Sequence, residues 1–97
     1  MAVSIAVFGA GGKMGCAIVR AVAEAEGAVL AAAIERSDYP FLAADASQTA
    51  GLAASGVTLT DRPPAQGACD VWIDFSTPAA AVPNAEAAAA IEKCIYP

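Results

Sequence analysis

The stretch Val7-Phe8-Gly9-Ala10-Gly11-Gly12-Lys13-Met14-Gly15-Cys16-Ala17-Ile18 places four glycines among seven residues, between an apolar run and a helical pattern. The run before it, residues 3–8, is apolar at nearly every position, as a strand covered on both faces of a parallel sheet would be. After it, Met14, Ile18, Val22 and Ala25 recur at helical intervals and predict one buried face. Gly27 predicts the stop. In an open α/β sheet, such a strand-to-helix turn lies at the carboxyl ends of the strands, where ligands bind. The helix start offers amides without intrahelical partners and a partial positive charge, which suit a phosphate. Glycines let the backbone turn sharply and approach a pyrophosphate closely. Two templates compete for the spacing. In G-x-G-x-x-G, Gly9 and Gly11 match but Met14 stands at the third glycine; G-x-x-G-x-x-G fits Gly9, Gly12 and Gly15. Lys13 in the first helical turn opposes the helix dipole by about 0.3–1 kcal/mol, and a bound phosphate would reverse that sign.

The second apolar run, residues 29–34, ends at Glu35-Arg36. Glu35 follows Gly15 by 20 residues, the interval at which an acidic residue holds the adenosine ribose hydroxyls of NAD. Arg36 can meet the 2′-phosphate of NADP. Glu35 repels that phosphate and Arg36 attracts it, so both nucleotides are expected, with no preference legible.

Further along, Ser37-Asp38-Tyr39-Pro40 reads as a loop. Residues 46–54 suggest a short helix weakened by Gly51, and residues 57–60 a short strand. Pro63-Pro64 and Gly67 mark an irregular connection. Residues 71–75 form the next expected strand, with Asp74 at its end. For Asp74, a strand-end role and contact with a ligand stand equally, and no catalytic role is assigned. Thr77 suits a helix N-cap and Pro78 the first helical position. An alanine-rich helix then runs to Lys93, with a kink or late start expected at Pro83. Residues 94–97 look like the opening of another strand. Trp72 reads as core, and Cys16 as a small packing residue. Strands alternating with helices imply a doubly wound, Rossmann-like α/β fold. Right-handed crossovers predict the strand order 3-2-1-4.

Composition bounds these readings. The 97 residues suit one small domain. Alanine accounts for 27 of them, while Val, Ile, Leu and Phe total 21, so thin layers around a modest core are expected. The net charge of −5 argues against a nucleic-acid surface and against docking on anionic membranes. No apolar run is long enough to span a bilayer, and the N-terminus lacks a signal-peptide pattern. Three scattered cysteines fit a reducing cytoplasm better than a disulfide framework. Histidine is absent, which removes the commonest general acid/base and the commonest metal ligand. No catalytic residue and no metal site is therefore assigned.

Four stretches together resemble the dihydrodipicolinate (4-hydroxy-tetrahydrodipicolinate) reductase family of the diaminopimelate–lysine pathway: VFGAGGKMG at 7–15, AAAIER at 31–36, DASQTAGL at 45–52 and DVWIDFSTP at 70–78. The resemblance implies an oxidoreductase that passes a nicotinamide hydride to a cyclic unsaturated dicarboxylate, with an acid protonating the adjacent carbon. It implies that Gly9, Ala10, Gly11, Gly12, Lys13 and Met14 hold the pyrophosphate of NAD or NADP. Glu35 would bind the adenosine ribose, Arg36 the extra phosphate of NADP, and Phe75, Ser76 and Thr77 would line the cofactor's path. The family's Gly-Thr-Thr-Gly motif, its histidine- and lysine-containing catalytic stretch and its tetramer-forming domain have no counterpart in residues 1–97. The chain is thus expected to be a truncated N-terminal cofactor domain, inactive alone, whose homotetramer needs the missing domain. A stand-alone NAD(P)-sensing module without catalysis is the alternative.

Overall fold

The computed structural model describes residues 2–65, 68–74 and 94–96. Five parallel strands form one sheet: β1 (Val3–Phe8), β2 (Ala28–Ile34), β3 (Leu59–Thr60), β4 (Val71–Asp74) and β5 (Cys94–Tyr96). Their spatial order is β3-β2-β1-β4-β5. The expected 3-2-1-4 arrangement holds, and the strand opening at residue 94 continues it beyond β4. The expected helix from Thr77 to Lys93, the kink at Pro83 and the turn at Gly67 lie outside the described residues.

Two helices are described, α1 (Lys13–Glu24) and α2 (Ala46–Thr49). One apolar cluster joins Val7, Ala10, Ala33, Ala46 and Leu59, with Ile18 of α1 and Leu30 packed against it. A second joins Ala6, Phe8, Ile34, Cys69 and Trp72, with Ala32 beside it. Ile5 and Ala6 are adjacent on β1, yet they pair with Leu30 and Ala32, so the register slips past Ala31. A strand's side chains alternate strictly. The extra residue is what allows Leu30 and Ala33 to join one cluster while Ala32 and Ile34 join the other.

Burial concentrates at the carboxyl ends of the strands. Val3 and Val29 are about half exposed, whereas Ala6, Val7, Phe8 and Ala33 are fully buried. The strands are therefore covered on both faces only where the connecting loops leave them. The Phe8 and Trp72 rings meet there at 4.8 Å between centroids, an aromatic contact worth about 0.5–1.5 kcal/mol beyond its buried area.

Helix α1 presents Gly15, Val19 and Val22 to the core. The expected face holds at Ile18 and Val22 and differs at its two ends: Met14 is 53% exposed, and Ala25 lies beyond the last turn, also exposed. The cause is Gly15, where α1 touches the preceding loop. That contact sets the rotation of the helix, and Val19 and Val22 follow at four and seven residues along the same stripe.

The segment after β2 is shaped by backbone pairing that its apolar pattern does not show. Asp45 and Thr58 form an antiparallel bridge, extended by Ala46 N–H donating to the Val57 carbonyl and Leu59 N–H donating to the Ala44 carbonyl. This bridge takes Val57 and Thr58 away from the parallel sheet and shortens the expected strand 57–60 to Leu59–Thr60. Helix α2 ends early because Gly51 turns to φ +88°. Leu52 N–H then donates to the Ser47 carbonyl and Gly51 N–H to that of Gln48, a Schellman closure.

Asp45 secures both ends of this segment. Its carboxylate accepts from the amides of Ser47 and Gln48 at the start of α2 and from those of Ser55 and Gly56 across the loop. Desolvation pushes its pKa up, but the four amide hydrogen bonds outweigh that and hold the carboxyl below its usual range. A depressed folded-state pKa contributes stability that is complete above the unfolded value of 3.8 and fades as pH falls through the folded one. Asp45→Asn is therefore expected to lower the melting temperature at pH 7, and the gap to the parent should close as pH drops below about 4. Circular-dichroism melts across pH 2–7 check both, and a gap independent of pH would contradict the account.

Candidate functional site

Strand β1 delivers the glycine loop to the middle of the sheet edge, between the ends of β2 and β4. The amides of Gly9 and Ala10 both donate to the Ile34 carbonyl, at 2.8 and 3.2 Å, tying the loop to the end of β2. Gly9 then turns at φ +79°, a conformation that side chains disfavour. Gly12 caps α1 in an extended conformation without any side-chain hydrogen bond. Gly12 N–H itself donates to the Gly9 carbonyl at 3.1 Å, so the first-turn amides without a capping group begin at Lys13, and Lys13 and Met14 are exposed.

The glycines carry different constraints. A Cβ on Gly15 would overlap the Gly9 carbonyl and lie 2.7 Å from Ala10 Cα, both rigid backbone. One on Gly12 would meet only the Gly9 carbonyl oxygen, at 3.5 Å, leaving that side of the loop open to a ligand. One on Gly11 would overlap the Tyr39 ring, 2.8 Å from its Cε1. Gly9 and Gly15 thus shape the turn and the helix contact, and Gly11 seats an aromatic ring.

Glu35 stands directly after β2 and faces this loop. Its Oε2 accepts from Gly11 N–H at 2.9 Å and its Oε1 from Arg36 N–H at 3.1 Å, while its own N–H donates to the Thr60 carbonyl. Each carboxylate oxygen keeps further lone-pair capacity for hydroxyl donors. Arg36 points to solvent, with Nε 2.8 Å from Asp38 Oδ1. Asp74, only 7% exposed, closes β4 opposite Phe8 at the same edge. Phe75, Ser76 and Thr77 lie outside the described residues. Beside the loop, a cavity of about 410 Å³ opens between Gly11, Gly12 and Lys13 on one wall and Thr49 and Gly51 on the other.

Sequence reasoning missed Tyr39. Its ring rests on Gly11 and meets Phe41 edge-on at 5.7 Å. Burial pushes its phenol pKa up, with the Glu35 charge and Cys16 adding to the rise and Arg36 opposing it. Only an aromatic in a short polar loop signalled it, and its partner lies 28 residues away. Asp45 was also missed, although Asp-Ala-Ser-Gln at 45–48 is an N-cap pattern. Cys16 is partly buried, with Sγ 3.6 Å from the Ala10 carbonyl oxygen, and Trp72 is fully buried; both pack as expected. Among the described residues, no cluster of His, Cys, Asp or Glu could hold a metal ion, and no helix is long and apolar enough to cross a membrane.

A parallel sheet in this order, with a glycine turn feeding a helix at its centre and an acid at the neighbouring strand's end, defines the Rossmann-like class. Residues 3–95 match the family model described as dihydrodipicolinate reductase, N-terminus, and the chain belongs to that family. It is 47% identical over 95 residues to the 4-hydroxy-tetrahydrodipicolinate reductase of Geotalea uraniireducens, covering 96% of this chain and 35% of that protein. The reductase of the same name from Citrifermentans bemidjiense is 46% identical over 94 residues, with the same coverage. That from Brucella abortus is 44% identical over 86 residues, covering 88% of this chain and 32% of that protein. The chain thus spans about a third of the length of these curated relatives.

The contact at Gly15 yields a stability test. Alanine gains helix propensity of about 1 kcal/mol over glycine, but here its methyl must displace α1 from the loop, at an overpacking cost of about 1–3 kcal/mol. Gly15→Ala is expected to be less stable than the parent in urea denaturation; an equal or raised midpoint would show that α1 does not bear on the loop this closely.

Proposed function

We propose that this chain is the nucleotide-binding part of a reductase that transfers a hydride from NADH or NADPH to 4-hydroxy-tetrahydrodipicolinate, in the cytoplasmic synthesis of diaminopimelate and lysine. The observation that carries the binding role is the Glu35 carboxylate tied to the Gly11 amide. It fixes the ribose-binding acid against the loop that would receive the pyrophosphate.

The residues fit a dinucleotide. The loop from Gly9 through Ala10, Gly11, Gly12 and Lys13 to Met14 would hold the diphosphate with amides of the uncapped helix start, and the Lys13 ammonium would add charge. Glu35 would accept hydrogen bonds from the adenosine ribose hydroxyls without losing its two backbone donors. Arg36 would meet the 2′-phosphate of NADP. Phe75, Ser76 and Thr77, following β4, would flank the cofactor on its way to the nicotinamide end. The bound nicotinamide supplies the hydride. The proton donor, the binding of the cyclic dicarboxylate and the homotetramer interface are assigned to a domain of the complete protein outside residues 1–97, and the chain by itself is proposed to bind nucleotide without turnover.

Titration followed by nicotinamide fluorescence tests the binding half. Saturable NADH binding is expected, weakened about tenfold or more in Glu35→Ala, as befits loss of a hydrogen bond to a charged group. Unchanged affinity in that variant, with the fold retained, would contradict the assignment.

A further inference from the structure

Asp38 plays no part in the cofactor site described above, yet the fold holds it there. Tyr39 N–H donates to the Arg36 carbonyl at 3.0 Å, closing a four-residue turn over Arg36-Ser37-Asp38-Tyr39. One end of that turn is the end of β2; the other is the Tyr39 ring seated on Gly11. The turn brings Asp38 Oδ1 back to 2.8 Å from Arg36 Nε. The turn keeps the two side chains within reach of each other, in a pair that faces solvent.

Its neighbour is constrained too. Both Glu35 carboxylate oxygens accept backbone amides, which fixes the carboxylate at this corner. Glu35, Arg36 and Asp38 together sum to one negative charge. A 2′-phosphate arriving here carries about two negative charges. It meets a guanidinium already engaged on its Nε edge and an additional carboxylate close by. A ribose 2′-hydroxyl meets no such repulsion and still finds Glu35 as its acceptor.

We propose that Asp38 is a specificity-determining residue: by holding the Arg36 guanidinium and placing a negative charge beside it, Asp38 lowers the affinity for the 2′-phosphorylated nucleotide and tilts the site toward NADH. This rests on the nucleotide-binding reading of the same site. Removing one charge about 6 Å from a doubly charged phosphate, in a water-like dielectric at physiological salt, changes affinity by about threefold to tenfold.

The test is fluorescence titration of the parent chain, Asp38→Asn, Asp38→Ser and Arg36→Gln with NADH and with NADPH. Asn and Ser both suit turn positions, and circular dichroism confirms that each variant folds. In both Asp38 variants, NADPH binding should tighten about threefold to tenfold while NADH binding stays within about twofold, and added salt should shrink the gain. Arg36→Gln should weaken NADPH alone. If Arg36→Gln behaves so but neither Asp38 variant alters the NADPH-to-NADH ratio, the role of Asp38 is overturned and the binding site stands. If the folded parent binds neither nucleotide, the reading of the site is overturned and the role of Asp38 with it.

Discussion

At Gly15 the first helix comes so near the Gly9 carbonyl and Ala10 Cα that no side chain fits between them. From that backbone approach follow the rotation of α1, which buries Val19 and Val22 and leaves Met14 outside, and the position of the helix start over the sheet edge. The loop is pressed from the other side as well, since Gly9 and Ala10 both donate to the end of β2. A loop gripped by helix and strand together holds its next amides, from Gly11 onward, in a fixed place. Tyr39 packs on Gly11 and Glu35 bonds to it, so the second strand's terminal turn is registered on the first strand's loop.

This arrangement explains why a small, alanine-rich chain places its best-packed residues where it does. Little large apolar surface is available, and it gathers beneath the loops: Val7, Phe8, Leu59 and Trp72 are all fully or almost fully buried, whereas the starts of β1 and β2 are partly open. Rigidity is thereby concentrated under the edge that carries the charged and glycine residues. Asp45 extends the same economy to the outer segment, where one carboxylate binds the amides of both a helix start and a returning loop.

The strand–glycine–helix–strand unit is legible in the residues because each part depends on local chemistry. Unbroken apolar runs make covered parallel strands, glycines mark the turn, and right-handed crossovers leave one strand order. The interval from Gly15 to Glu35 likewise placed the acid opposite the loop, because one helix and one strand of ordinary length separate them. The helix face was harder. Met14 matches an apolar period, but tight contact at a residue without a side chain outweighs periodicity, and hydropathy does not register a glycine contact. The Asp45–Thr58 bridge, the Ala31 slip and the seat of Tyr39 depend on pairing between distant residues, which local patterns do not encode. Membership of the dihydrodipicolinate reductase N-terminal family agrees with the local signals and extends them over nearly the whole chain.

The proposed function has the amides left without partners at the start of α1, from Lys13 onward, receive a dinucleotide together with the Glu35 carboxylate. Backbone amide chemical shifts recorded by ¹H–¹⁵N NMR during addition of NADH test it most directly. The account predicts that the largest changes fall on Gly11, Gly12, Lys13 and Met14, with Glu35 and Arg36 moving in concert at the same saturating concentration. Saturable changes confined to residues away from the glycine loop and the end of β2, or no changes in the folded chain at millimolar nucleotide, would contradict it.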